Sequence, residues 1–240
     1  MVCTAVPGWL SSHFIEPGAI MNLMPLHTYA TEGLRSKDPS YQQNQNDIET
    51  RMGALINYPA LVVWMCKYGA YVAGGAVLSE ITGFFTPSKP RFLPSDMRLF
   101  VPTDIDIWVP HWTVEAAMTE LCKMLPGIQC VHQESKYGAT NALLTAEFMY
   151  NGKKFQIVTT MSSVYGTIGN FDIDVCRCAW DPRSPNEFIV LHMPAIKSRR
   201  AILRPEEDGT PAAKKREEAR REKYRERGFH FGGVGGLHFS

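Results

Sequence analysis

The stretch YVAGGAVLSEITG, residues 71–83, followed after a proline-rich insert by TDIDIWV, residues 103–109, decides how this chain folds. Adjacent Gly74 and Gly75 break one regular segment and, with Ala76 and Val77, open a helix. The later run alternates. Asp104 and Asp106 therefore share one face of a predicted strand, with Ile105 and Ile107 on the other. Two carboxylates side by side repel, and a common agent holding such a pair together is a divalent cation bound by hard oxygen ligands.

The pattern repeats in FDIDVC, residues 171–176, where Asp172 and Asp174 are expected to share the face of a second acidic strand. If the two strands are neighbours in one sheet, three or four carboxylates converge. Such a set suits two Mg2+ (or Mn2+) ions and in-line displacement at phosphorus. Gly74 and Gly75 complete the arrangement, because glycines ahead of a helix let backbone N–H groups approach a triphosphate. Ser79, one turn further on, is a further candidate for a phosphate contact; the plainer reading is a surface helix residue.

A Gly-Gly turn before a helix, then Asp-Ile-Asp on a strand and a further acidic strand, resembles the polymerase-beta-like nucleotidyltransferase superfamily. The nearest pattern is the head domain of CCA-adding enzymes and poly(A) polymerases, over roughly residues 54–180. The resemblance implies an α+β fold, a small mixed sheet with helices packed on one face. It also implies that Gly74 and Gly75 contact phosphate, that Asp104 and Asp106 bind metal, and that Asp172 or Asp174 is the third carboxylate, with Asp172 preferred as metal ligand. Two features depart from the CCA type. Leu78-Ser79 stands where that pattern has Arg-Asp, and the gap from Gly75 to Asp104 is long, with prolines at 87, 90, 94 and 102 marking a loop. The acidic segment at 171–176 and the ending Lys-Tyr-x-x-Arg-Gly-Phe, Lys223 to Phe229, are also similar to uncharacterised proteins of large viruses and fungi.

Around this centre the chain divides into an N-terminal arm (1–46), a nucleotidyltransferase-like domain (47–203), and a basic helix with a glycine-rich tail (204–240). Within the domain, Asp47 is a plausible N-cap and Met52, Leu55 and Ile56 form one apolar face. Pro59 starts a helix expected to run from Ala60 to Tyr71, and helical spacing recurs over 113–125. A strand is expected over 128–131. Asn151-Gly152 signals a hairpin between 143–150 and 154–160, followed by a short helix over 162–168. A last strand over 187–192 leads to a helix over 194–203. Residues 211–227 form a helix polar all round but for Tyr224.

Net charge is +1 over 240 residues, yet residues 197–227 hold 12 basic and 7 acidic groups, +5, leaving −4 elsewhere. RNA or DNA contact through this basic end is one expectation, a solvated helix the other. No apolar run is long enough to cross a membrane and no secretory leader is visible, while six scattered cysteines without a C-x-x-C pair suit free thiols in the cytoplasm or nucleus. The activity expected is transfer of a nucleoside monophosphate from a nucleoside triphosphate to a hydroxyl. The alternative is a catalytically inactive member of the fold that binds nucleic acid or protein.

Overall fold

The computed structural model describes residues 39–84, 100–125, 128–134, 142–205 and 209–232. The elements run α1 (Pro39–Ile56), α2 (Pro59–Tyr68), β1 (Tyr71–Ala73), α3 (Gly75–Phe84), β2 (Asp104–Pro110), α4 (Val114–Met124), β3 (Gln129–Glu134), β4 (Ala142–Tyr150) and β5 (Lys153–Thr160). They continue with α5 (Val164–Gly169), β6 (Cys178–Trp180), β7 (Phe188–Val190), α6 (Met193–Ser198), β8 (Arg200–Ala201), α7 (Pro211–Glu226) and β9 (His230–Phe231). The expected arm and the proline-rich insert fall largely outside the described residues.

Seven strands form one mixed sheet in the order β3-β4-β5-β2-β1-β6-β7, and β8 pairs with β9 separately. The central strand β2 pairs parallel with β5 and antiparallel with β1. Alternation in β2 sends Ile105 and Ile107 to the same face as Phe155 and Ile157 of β5, all four buried. Helices cover this face. Lys153 of β5 donates to the Leu55 carbonyl of α1, Tyr58 stacks on Tyr150 at 4.3 Å, and Arg51 of α1 pairs with Glu80 of α3 at 3.1 Å. Trp64 Nε1 of α2 donates to the Ala117 carbonyl of α4 at 2.9 Å. The opposite face carries Tyr71, Trp108 and Thr160, and here the short α5 docks: the Tyr71 hydroxyl donates to Thr167 Oγ1 at 2.8 Å. The expected α+β architecture with a mixed sheet is the observed one.

The hairpin between β4 and β5 turns at Asn151 and Gly152, with φ of 48° and 72°, as a two-residue loop matched to strand twist requires. Elsewhere the local readings need correction. The helix expected to reach Tyr71 stops at Tyr68, because Gly69 takes a left-handed φ of 68°. The residues released form β1, wholly buried near the middle of the sheet. Residues 171–176 are not a strand. Asp174 Oδ1 accepts from the Val175 amide at 2.8 Å, and this side-chain bond competes with a ladder, leaving a 3-10 turn over Asp174–Cys176. The helix expected over 194–203 ends at Ser198, since Arg199 adopts φ 54° and β8 follows. α1 starts at Pro39, eight residues before the expected cap at Asp47.

Candidate functional site

The register of Tyr71 with Trp108 and Val72 with Ile107 sets the end of β1 beside the start of β2. The glycine turn and the two aspartates thus share one end of the sheet. Gly74 has φ 80°, a conformation costly for any side chain, and its amide donates to the Cys178 carbonyl at 2.9 Å, which pins the turn to β6. The Leu78 amide closes the first turn of α3 on the Gly74 carbonyl at 2.9 Å. The amides of Gly75, Ala76 and Val77 precede that bond, so they have no acceptor within the helix and mark its positive end. Asp104 and Asp106 are half-buried at the head of β2, and Asp106 Oδ1 itself is shielded from solvent. Thr103 Oγ1 donates to Asp104 at 3.2 Å.

The other predicted residues are placed differently. Asp172 forms an ion pair with Arg220 of α7. Asp174, 7% exposed, accepts from the amides of Val175 and Ile202, both at 2.8 Å, and so ties the 3-10 turn to the chain beyond β8. Ser79 is fully buried, and its hydroxyl donates to the Ala76 carbonyl at 2.7 Å. Among the described residues, no group of three or more His, Cys, Asp or Glu is placed to hold a metal ion. The partners facing the aspartates come instead from parallel β5, with Lys154 opposite Asp104 and Gln156 opposite Asp106. Both reach Glu147 on β4, Lys154 at 2.7 Å. Their approach depends on a parallel register between distant strands, for which the sequence carries no local signal.

The C-terminal helix is the larger surprise. Thr210 caps α7, accepting from the Ala213 amide at 3.1 Å, and Pro211 begins it. Ala213, Arg220, Tyr224 and Arg227, spaced at helical intervals, face the body. The Cys176 thiol donates to the Tyr224 hydroxyl at 2.8 Å, and burial pushes that thiol's pKa up to about 12. Arg227, only 7% exposed, lays its guanidinium 4.2 Å from the Phe100 ring centre and 4.8 Å from that of Tyr224. A methyl group added to Gly75 would lie 3.2 Å from Arg227 Nη1. The basic end is therefore docked over the glycine turn. Outward-facing Arg225 is matched by Glu218 at 2.8 Å and Glu222 at 3.0 Å. The one sequence signal for this docking was the Lys-Tyr-x-x-Arg-Gly-Phe ending, which supplies Tyr224, Arg227 and the fully buried Phe229.

A mixed sheet whose central strand opens with Asp-x-Asp beside a Gly-Gly helix start defines an α+β protein with a carboxylate pair next to a cluster of backbone donors. The chain belongs to the Gad2 family: the model described as "Gabija anti-defense 2 family protein" matches residues 42–201. That family is distinct from the CCA-adding enzymes and poly(A) polymerases to which the sequence pattern pointed. No curated protein matches. Among solved structures, the chain is similar to a Thermotoga maritima CCA-adding enzyme complexed with tRNA, at 17% identity and a TM-score of 0.47. The match covers 73% of this chain and 39% of that enzyme's. No helix among the described residues is long and apolar enough to cross a membrane.

Proposed function

We propose that this Gad2 protein is a metal-dependent nucleotidyltransferase and that transfer of a nucleoside monophosphate to a hydroxyl underlies the anti-defense role against Gabija given in its family's description. The observation supporting this reading is the shared sheet end, where the Gly74–Gly75 start of α3 stands beside Asp104 and Asp106. Helix-start amides suit a triphosphate, and a carboxylate pair suits the cation that accompanies it. The residues present fit Mg2+, which keeps several waters and needs only one or two carboxylates plus substrate phosphates. Asp104 and Asp106 would hold it. When bound, the ion neutralises phosphate charge and lowers the pKa of the attacking hydroxyl.

The chain's own groups do the rest. The amides of Gly75 and Ala76 orient the phosphates, and Lys154, opposite Asp104, adds positive charge on the same sheet face. Asp172 and Asp174 act as positioning residues, fixing α7 and the 3-10 turn around the site. The acceptor is a hydroxyl on RNA or on a protein of the Gabija system. Incubation with labelled nucleoside triphosphates, Mg2+ or Mn2+, and each acceptor should give label transfer that an Asp104→Ala, Asp106→Ala double variant lacks. Undiminished transfer by the double variant would rule out these roles.

The want of a third carboxylate beside the aspartates, among the described residues, favours a second reading, a non-catalytic module that binds its partner through the same fold. In that case the double variant would retain full anti-defense function in cells.

A further inference from the structure

Arg227 is a buried cation with no opposite charge beside it among the described residues. Among the described residues its guanidinium forms no ion pair or hydrogen bond; its neighbours are the rings of Phe100 and Tyr224. Cation–π contacts offset only part of what it costs to bury an ion that no opposite charge accompanies. The helix pole it meets makes matters worse. Its Nη1 comes within 3.2 Å of where a Gly75 side chain would begin, at the positive end of the ten-residue α3. Two positive groups, one of them nine-tenths buried, converge on the same place.

An anion between them would reconcile the arrangement. We propose that Arg227 and the amides at the start of α3 form a phosphate-binding site, which takes one phosphate of the bound nucleotide; this rests on reading the Gly74–Gly75 turn as the phosphate cradle. The planar guanidinium presents donors in a fork that matches two phosphate oxygens, and the helix amides approach from the other side. A Cβ at Gly75 would lie 3.2 Å from Arg227 Nη1, so the guanidinium sits directly against the helix start. The contacts of α7 hold the arginine in place: Tyr224 against Cys176, Arg220 against Asp172, and Phe229 in the core. The C-terminal helix, which lies beyond the segment matched by the family model, becomes part of the nucleotide site.

The test uses the full chain and inorganic tripolyphosphate without metal, with affinity read by calorimetry. Wild type should bind saturably, Arg227→Gln at least about tenfold more weakly, and Arg227→Lys in between, because it keeps the charge and loses the fork. Equal binding by wild type and Arg227→Gln, or no binding by wild type at millimolar ligand, overturns the proposal. Should Arg227→Gln fail to fold, Arg227→Lys decides: loss of the two-pronged guanidinium should weaken binding, and unchanged affinity overturns the proposal. The enzymatic reading is judged separately. Tripolyphosphate binding that depends on Arg227, in a protein that transfers no label, keeps the site and removes the transferase; label transfer with Arg227→Gln binding as wild type does the reverse.

Discussion

One oxygen of Asp174 satisfies two backbone amides, those of Val175 and Ile202, each at 2.8 Å, in a setting only 7% exposed. Leaving a buried donor without its acceptor costs about 1–3 kcal/mol. Asp174→Ala should therefore lower the unfolding free energy by about 1–3 kcal/mol, chiefly through the buried Val175 amide, since Ile202 is exposed. Asp174→Asn keeps an acceptor oxygen and should stay within about 1 kcal/mol of wild type. Denaturant melts check both values, and the same two proteins should be compared for label transfer. An Asp174→Asn variant of native stability but without transfer would show that the carboxylate acts on substrate, not on the fold. The sequence could not separate this residue from Asp104. Alternation placed the aspartates of β2 on one face, as the register with β5 confirms, but the same pattern at 171–176 gave a turn. What differs is a partner amide 28 positions away, which no local periodicity encodes.

Short or charged elements were the hardest to read. The long helices and the β4–β5 hairpin follow from periodicity and turn chemistry, whereas β1 has three residues, too few for a pattern, and is identified only by the strands on either side. The polarity of α7 concealed its docked face, because arginine stems and a tyrosine ring bury themselves while composition reads as charge. This docking can be measured at Cys176, which is covered by Tyr224. Tyr224→Ala removes a large buried ring, worth about 3 kcal/mol or more, and should loosen the C-terminal end of α7. Peptide-resolved alkylation should then label Cys176 on the order of a hundredfold faster than in wild type. Exposed Cys66 should react at a similar rate in both proteins and serves as the internal standard. Equal protection of Cys176 in the two proteins would mean that α7 does not shield this side of the site.

At the scale of the whole molecule, the class of fold was legible but the strand order was not. Acidic strands, helices and a hairpin imply a mixed sheet; that β1 lies between β2 and β6 depends on pairings across more than a hundred residues. One consequence of that packing is alkaline sensitivity spread over both faces of the sheet. Burial raises the hydroxyls of Tyr71 and Tyr224 and the thiols of Cys176 and Cys178 above their ordinary values of 10.0 and 9.0. These acids stay protonated in the fold, whereas the unfolded chain releases their protons once the pH passes about 9 to 10. The unfolded state then binds fewer protons than the native one, so stability must fall as pH rises through that window. The midpoint of thermal unfolding should be level near neutral pH and drop steeply above pH 9, and a Cys176→Ala, Tyr224→Phe double variant should drop less. A wild-type midpoint that stays level up to pH 11 would mean that these groups ionise within the native state. The C-terminal helix would then not be sealed against the glycine turn, and the environment that makes Arg227 a buried, anion-seeking group would be lost with it.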